Sequence, residues 1–191
     1  MGRTILASLL RVWTLVRRLQ HIEGGDLEVL LAATLLHDAI DVEKSSPARS
    51  GAKAKSAAFG DEILQGLGWS AQCRQRVAHA IEAHSHSSGV TPATLEACIL
   101  QDADRLDAIG AIGVARCFYT AGRMQSKLYD PGDPLARARD LNDAKFALDH
   151  FKAKLFTLGS NMNTAGARAI ARKRQAAMRG FVEELTQEIG A

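Results

Sequence analysis

The reading of the fold turns on Leu27 to Ile40, LEVLLAATLLHDAI, which follows Gly24-Gly25-Asp26. The glycine pair ends whatever helix precedes it, and Asp26 is a helix N-cap type. The stretch that follows is too long for an ordinary strand and nearly all apolar, so it is predicted as a helix. A helix apolar on every side is buried on every side. It is therefore expected to be the central helix of the domain. Near its end stand His37 and Asp38, an imidazole and a carboxylate that are costly in apolar surroundings unless paired or bound to a metal.

Working outward, residues 4 to 21 carry Ile5, Leu9, Val12, Val16 and Leu19 at helical spacing. Residues 42 to 51 are a polar loop, and a helix follows from about 52 to 67, closed by Gly66-Leu67-Gly68. Ser70 caps a helix that runs to about Ala83. Thr91-Pro92 is a start signal for helices over about 92–100 and 101–120. Residues 121 to 140, with Asp130-Pro131-Gly132-Asp133-Pro134, read as a long loop of the lid or binding kind. Helices over about 141–158 and 164–189 complete the chain. The fold class is all-α, about 7–9 helices in one domain over 1–191. Its core spans about 5–120 and a C-terminal helical part about 139–189.

Composition agrees. The 191 residues include 32 alanines and 22 leucines, the strongest helix formers, against 4 prolines. No apolar run reaches the roughly 18 residues that span a bilayer. The uncharged stretch Thr4 to Leu10 is too short for a signal core. Cys73, Cys98 and Cys117 are odd in number and widely spaced, and read as reduced, mostly buried thiols of a cytoplasmic protein. A net charge of +3 is too small to argue for nucleic acid. The basic run Arg168, Arg172, Lys173, Arg174 and Arg179 reads as a solvated helix face.

Two further clusters add chemistry to the His37-Asp38 pair. Asp102, Asp104 and Asp107 put three carboxylates into six residues of an Ala- and Ile-rich segment, where they repel unless a cation or base neutralises them. Asp104 and Asp107 share a helix face at i, i+3, and Arg105 offers Asp102 a partner. The second cluster is His79, His84 and His86. His79 and His84 lie about 140° apart on a helix, so one regular turn cannot aim both at one ion. A helix ending near His84 would let that ring turn inward. Imidazole with carboxylate oxygens suits a divalent ion: Mn, Fe, Co or Zn, with Mg also compatible.

These residues resemble the HD-domain metal-dependent phosphohydrolases, and within them the small YedJ-like bacterial branch. The likeness rests on LLHDAID at 35–41, Lys44 with Pro47, HAIEAHS at 79–85 and QDADRLDAIGAIGVAR at 101–116. It continues through ALDHFKAKL at 147–155 and MNTAGAR at 162–168. The resemblance implies a single divalent metal held by His37, Asp38 and Asp104, and hydrolysis of a phosphate ester or anhydride. A nucleotide is the implied substrate, cut from triphosphate to monophosphate plus pyrophosphate in some relatives. One position departs from the pattern. Where the family has its first ligand histidine, three residues before Arg11-Val12-Trp13, this chain has Ser8. A displaced start, a frameshift or genuine loss would each produce this. A degenerate protein that binds a nucleotide or partner without turnover is the competing expectation.

Around that site, Asp41 lies three residues after Asp38 and is the candidate base, with His84 beside it as a catalytic group. Arg11, Lys44 and His79 are candidates to meet phosphate charge. His150 and Lys154, on one face at i, i+4, are candidate substrate contacts. The expected partner is a small phosphorylated molecule, with no membrane and no nucleic acid. Gly110 and Gly113 are expected to serve close packing.

Overall fold

The computed structural model describes residues 2–40, 51–85 and 88–190. Among them the architecture is all-α, with a single isolated bridge between Lys127 and Phe146. The chain forms two compact units, Met1–Asp104 and Arg105–Ala191.

In the first unit, α1 (Gly2–Glu23) packs on α2 (Leu27–Leu36), and α2 lies against α3 (Ala52–Gly66) and α4 (Ala71–Ala83). The caps expected from sequence are in place. Asp26 accepts from the amides of Glu28 and Val29 at 3.0 and 3.3 Å, and Ser70 accepts from Cys73 at 3.2 Å. Val12, Val16, Leu19, Val29, Leu30, Ile81 and Ile99 form the core.

Two expectations for this unit need correction. The central helix is not covered all round: Leu27, Leu31 and Leu35, at i, i+4 and i+8, are 44%, 40% and 54% exposed. Its other faces are buried, so uniform apolarity here did not mean uniform burial. The Thr91-Pro92 signal does not start a helix. α5 (Leu95–Asp107) begins after Thr94, whose hydroxyl accepts from Ala97 at 3.2 Å, and it runs unbroken past residue 100.

The second unit continues from α5 into α6 (Ala111–Arg123) through Gly110, where φ is +80°. A Cβ there would lie 2.9 Å from Arg174 Cγ, so both conformation and space require glycine. Residues 124–148 form one long folded loop, and the helix expected from 141 begins only at 149, passing at once into a π-helical turn at Phe151–Leu155. That turn leads into the short α7 (Phe156–Leu158), and α8 (Ala165–Glu188) follows, capped by Thr164. Phe118, Phe151, Phe156 and Phe181 pack together with ring centroids 5.7 to 6.1 Å apart.

The basic run on α8 is partly committed inside this unit. Arg168 donates to the carbonyls of Met162 and Asn163, Arg174 to that of Leu106, and Arg179 lies over Phe156 at 4.6 Å. Of the three thiols only Cys117 is buried, and burial pushes its pKa up to about 11, with Asp143 adding to the effect. Cys73 and Cys98 are half-buried, a correction to the expectation of mostly buried thiols.

Candidate metal centre

α2 ends at Leu36, so His37 and Asp38 stand in the turn just beyond it and not within the helix as expected. α4 ends at Ala83 with His84 as its C-cap, as the spacing of the histidines suggested. The last carbonyls of a helix lack intrahelical partners. Both histidines use them: His37 Nδ1 lies 2.7 Å from the Thr34 carbonyl and His84 Nδ1 2.6 Å from that of Ile81. A carbonyl only accepts, so each Nδ1 must donate, and in the neutral ring each Nε2 is left as an acceptor.

The two Nε2 atoms face one carboxylate. His37 Nε2 is 3.5 Å from Asp38 Oδ2, and His84 Nε2 is 3.6 Å from Asp38 Oδ1. The rings meet edge to face, 4.9 Å between centroids at 88°. One ligand atom from each of the three residues can be chosen so that all lie within 4.8 Å of one another. Both imidazoles are buried, whereas the Asp38 side chain is 53% exposed and opens the cluster to solvent.

The charges are set by these surroundings. Burial, reinforced by the nearby His84, lowers the pKa of His37 against the opposing pull of Asp38 and Asp104, favouring the neutral ligand form. Partial desolvation raises the pKa of Asp38. The neighbouring His84 and His37 and the contact with Lys53 outweigh it, holding the carboxyl far below the ordinary range. Two imidazole acceptors and an ionised carboxylate converging on one point fit a divalent transition ion. Their Nδ1–carbonyl bonds supply the outer support that such ligands use.

Other contacts brace the helices that carry this cluster. Gln101 Nε2 donates to the Ala83 carbonyl at 2.6 Å, tying α5 to the end of α4 beside His84. Arg76 on α4 reaches Asp26 at 2.9 Å and Glu96 on α5 at 2.8 Å, while the Asp26 amide donates to Glu96 at 2.9 Å. Burial raises the Glu96 pKa, but those amide and guanidinium contacts more than reverse it, so the carboxylate stays charged.

The remaining sequence candidates are placed as follows. Asp104 is half-buried on α5 and its charge acts on His37; Asp102, two residues earlier, is fully buried. Arg11 and Ser8 are half-buried on α1. Asp41 and Lys44 lie outside the described residues. His79 Nε2 accepts from the Ala93 amide at 2.9 Å, bracing the approach to α5. In the second unit, His150 Nδ1 pairs with Asp143 at 2.9 Å and Lys154 is exposed. Asp107 is buried and pairs with Arg116 at 3.3 Å. Sequence reasoning missed Lys53, whose ammonium donates to Asp38 Oδ1. It stands fifteen residues on, and only its place in the first turn after the loop could have pointed to it.

The geometry can be set beside known proteins. The HD domain model matches residues 7–109. YpgQ of Bacillus subtilis (strain 168) is 34% identical over 171 residues, covering 87% of this chain and 75% of that one. The crystal structure of Bacillus subtilis YpgQ superposes with a TM-score of 0.75 at 33% identity, over 96% of this chain and 87% of that one. The same protein in complex with ADP gives 0.73 at 31% identity, over 97% and 88%. An HD-superfamily hydrolase from Bacillus thuringiensis gives 0.75 at 32% identity, over 97% and 86%. With a His-Asp pair at the end of α2, a matching domain over more than half its length and relatives alike along nearly all of it, this chain belongs to the HD domain family.

Proposed function

We propose that this protein is a metal-dependent phosphohydrolase acting on phosphate esters or anhydrides, with nucleotides as the substrate class. The observation that carries the reading is the convergence of His37, Asp38 and His84, with both Nδ1 protons spent on backbone carbonyls. The chemistry a divalent ion supplies in such a setting is polarisation of a phosphoryl oxygen and a lowered pKa of bound water. The chain's own residues do the rest. His37 and His84 hold their Nε2 atoms toward the ion, Asp38 contributes negative charge, and Asp104 adds a further carboxylate near His37. Asp41 is the proposed base, and Arg11 and Lys44 the proposed phosphate donors. That YpgQ, a relative of similar fold, has been crystallised with ADP supports a nucleotide as ligand here.

The test is release of phosphate or pyrophosphate from a panel of nucleoside di- and triphosphates with manganese, cobalt or magnesium. Metal-stimulated release, lost in Asp104→Ala, is the expected result. No release with any of the three metals overturns the enzymatic reading.

Ser8 favours a second reading, in which the chain binds a nucleotide without turning it over. That reading expects nucleotides to raise the unfolding temperature without product, and Ser8→His to strengthen metal binding and bring on hydrolysis. If Ser8→His changes neither, residue 8 is not a missing ligand.

A further inference from the structure

The contact that neither the HD pattern nor the proposed chemistry uses is the one between Lys53 and Asp38. Lys53 lies in the first turn of α3, an element that among the described residues contributes nothing else to the cluster. Its ammonium donates to Asp38 Oδ1, the same oxygen that lies 3.6 Å from His84 Nε2. The pairing is not a loose surface encounter, because the Lys53 side chain is only 23% exposed. The backbone around it is anchored as well. The buried Ser56 hydroxyl, three residues further along α3, accepts from the Ile40 amide at 3.1 Å and binds the turn after Asp38 to that helix.

A carboxylate oxygen held by an ammonium has already given part of its negative charge to a cation. A divalent ion drawn to His37, His84 and Asp38 must either displace that ammonium or share the oxygen with it. Sharing sets two positive centres against each other across one carboxylate, and displacement breaks a charge-assisted hydrogen bond. Either way Lys53 weakens the metal, and it does so through Asp38 alone, since both imidazoles are held from behind by their own helices. Its long flexible stem allows it to leave without unfolding α3.

We propose that Lys53 is a resident counter-cation that competes with the metal for Asp38 and so sets the metal affinity of this centre. This rests on the reading of His37, Asp38 and His84 as metal ligands. Without the ion, Lys53 neutralises the carboxylate that would otherwise stand exposed against two nitrogen lone pairs. With the ion, the ammonium is released at the open side of the site. The competition makes the centre a weaker, more exchangeable metal site than its three donors alone would form.

The experiment measures manganese binding by the full-length protein directly, from the fall in the free-ion spin-resonance signal and by calorimetry, with no substrate present. Lys53→Met is expected to tighten manganese binding by about tenfold, within the usual range for coupling between two binding events. Lys53→Arg, which keeps the charge, is expected to stay within about threefold of the wild type. Lys55→Met, an exposed lysine on the same helix, is expected to leave the affinity unchanged and controls for net charge. Unfolding midpoints of all variants show whether each is folded. If Lys53→Met binds no tighter than wild type, or Lys55→Met tightens binding equally, the competition is absent and the proposal fails. If the wild type and both Lys53 variants bind no manganese at all, it is the metal centre itself that is refuted.

Discussion

Two groups of charged side chains, one in each unit, are satisfied in opposite ways. In the second unit, Asp149 is buried and fully served. Arg139 grips both of its oxygens at 2.6 and 2.8 Å, and the Asn142 amide donates a third bond at 2.7 Å. Arg139 also lies over the Phe146 ring at 4.6 Å, and Asp130 and Asp133 fold the same loop by accepting from its amides. In the first unit, His37 and His84 turn acceptor nitrogens toward an acceptor carboxylate, and among the described residues Lys53 brings the donor proton to it. A buried acid whose lone pairs are matched by donors is holding structure together. A set of acceptors aimed at one another could hold a cation from outside the chain, as the proposed function requires. The long loop of the second unit is pinned by this network.

The largest effect that tests the comparison is loss of an acceptor. His84→Gln, which keeps most of the buried side-chain volume, is expected to cut manganese binding and any metal-dependent hydrolysis by about a hundredfold or more while the unfolding midpoint moves little. Calorimetry with thermal melts measures both. Unchanged metal binding in this variant would make the cluster another structural network.

Asp149→Asn should behave in the opposite manner. It is expected to lower the unfolding midpoint by about 5 °C or more and to leave manganese affinity unaltered. Its effect should also depend on pH in a definite direction. The hydrogen bonds from Arg139 hold the Asp149 pKa below the usual carboxylate range. The Asn142 amide and the charges of Arg139 and Lys152 add to this, against the cost of burial. A group depressed in the folded state stabilises above its unfolded pKa and loses that stabilisation as pH falls through the folded one. The gap in melting temperature between wild type and Asp149→Asn should therefore be full at pH 7 and shrink below about pH 4. A gap that widens in acid would contradict the assignment.

The smallest effect belongs to Asp143, whose side chain is 47% exposed in its pair with His150. Exposed pairs of this sort contribute little, so Asp143→Asn should shift the midpoint by about 1 °C or less. A larger shift would mean that the Asp149 network extends to residue 143.

Much of this was legible in the chain. His37 and Asp38 stood out because polar side chains after ten mostly apolar positions need a reason, and Asp26, Ser70 and the Gly66-Leu67-Gly68 stop follow local capping rules that hold whatever the surroundings. His84 was legible in part, since a five-residue spacing on a helix can serve one site only if the helix ends. The contacts that escaped reading are those made across the fold. Lys53 meets Asp38 through a turn anchored on α3, and Arg139 meets Asp149 through a loop whose turns mimic no regular pattern. The exposed Leu27, Leu31 and Leu35 escaped for a related reason. Hydrophobicity records which residues gain by burial and is silent on how many neighbours are there to bury them.

The sequence by itself determined the all-α class, most helix starts, and the presence of metal-type side chains at the end of one apolar helix. Those follow from backbone capping, propensity and the cost of burying polarity, which act over a few residues. Which histidine joins His37 and Asp38, which nitrogen each ring presents, and which cation holds Asp38 were decided only by tertiary structure. They depend on where the ends of α2 and α4 and the first turn of α3 meet, and no local rule carries that distance.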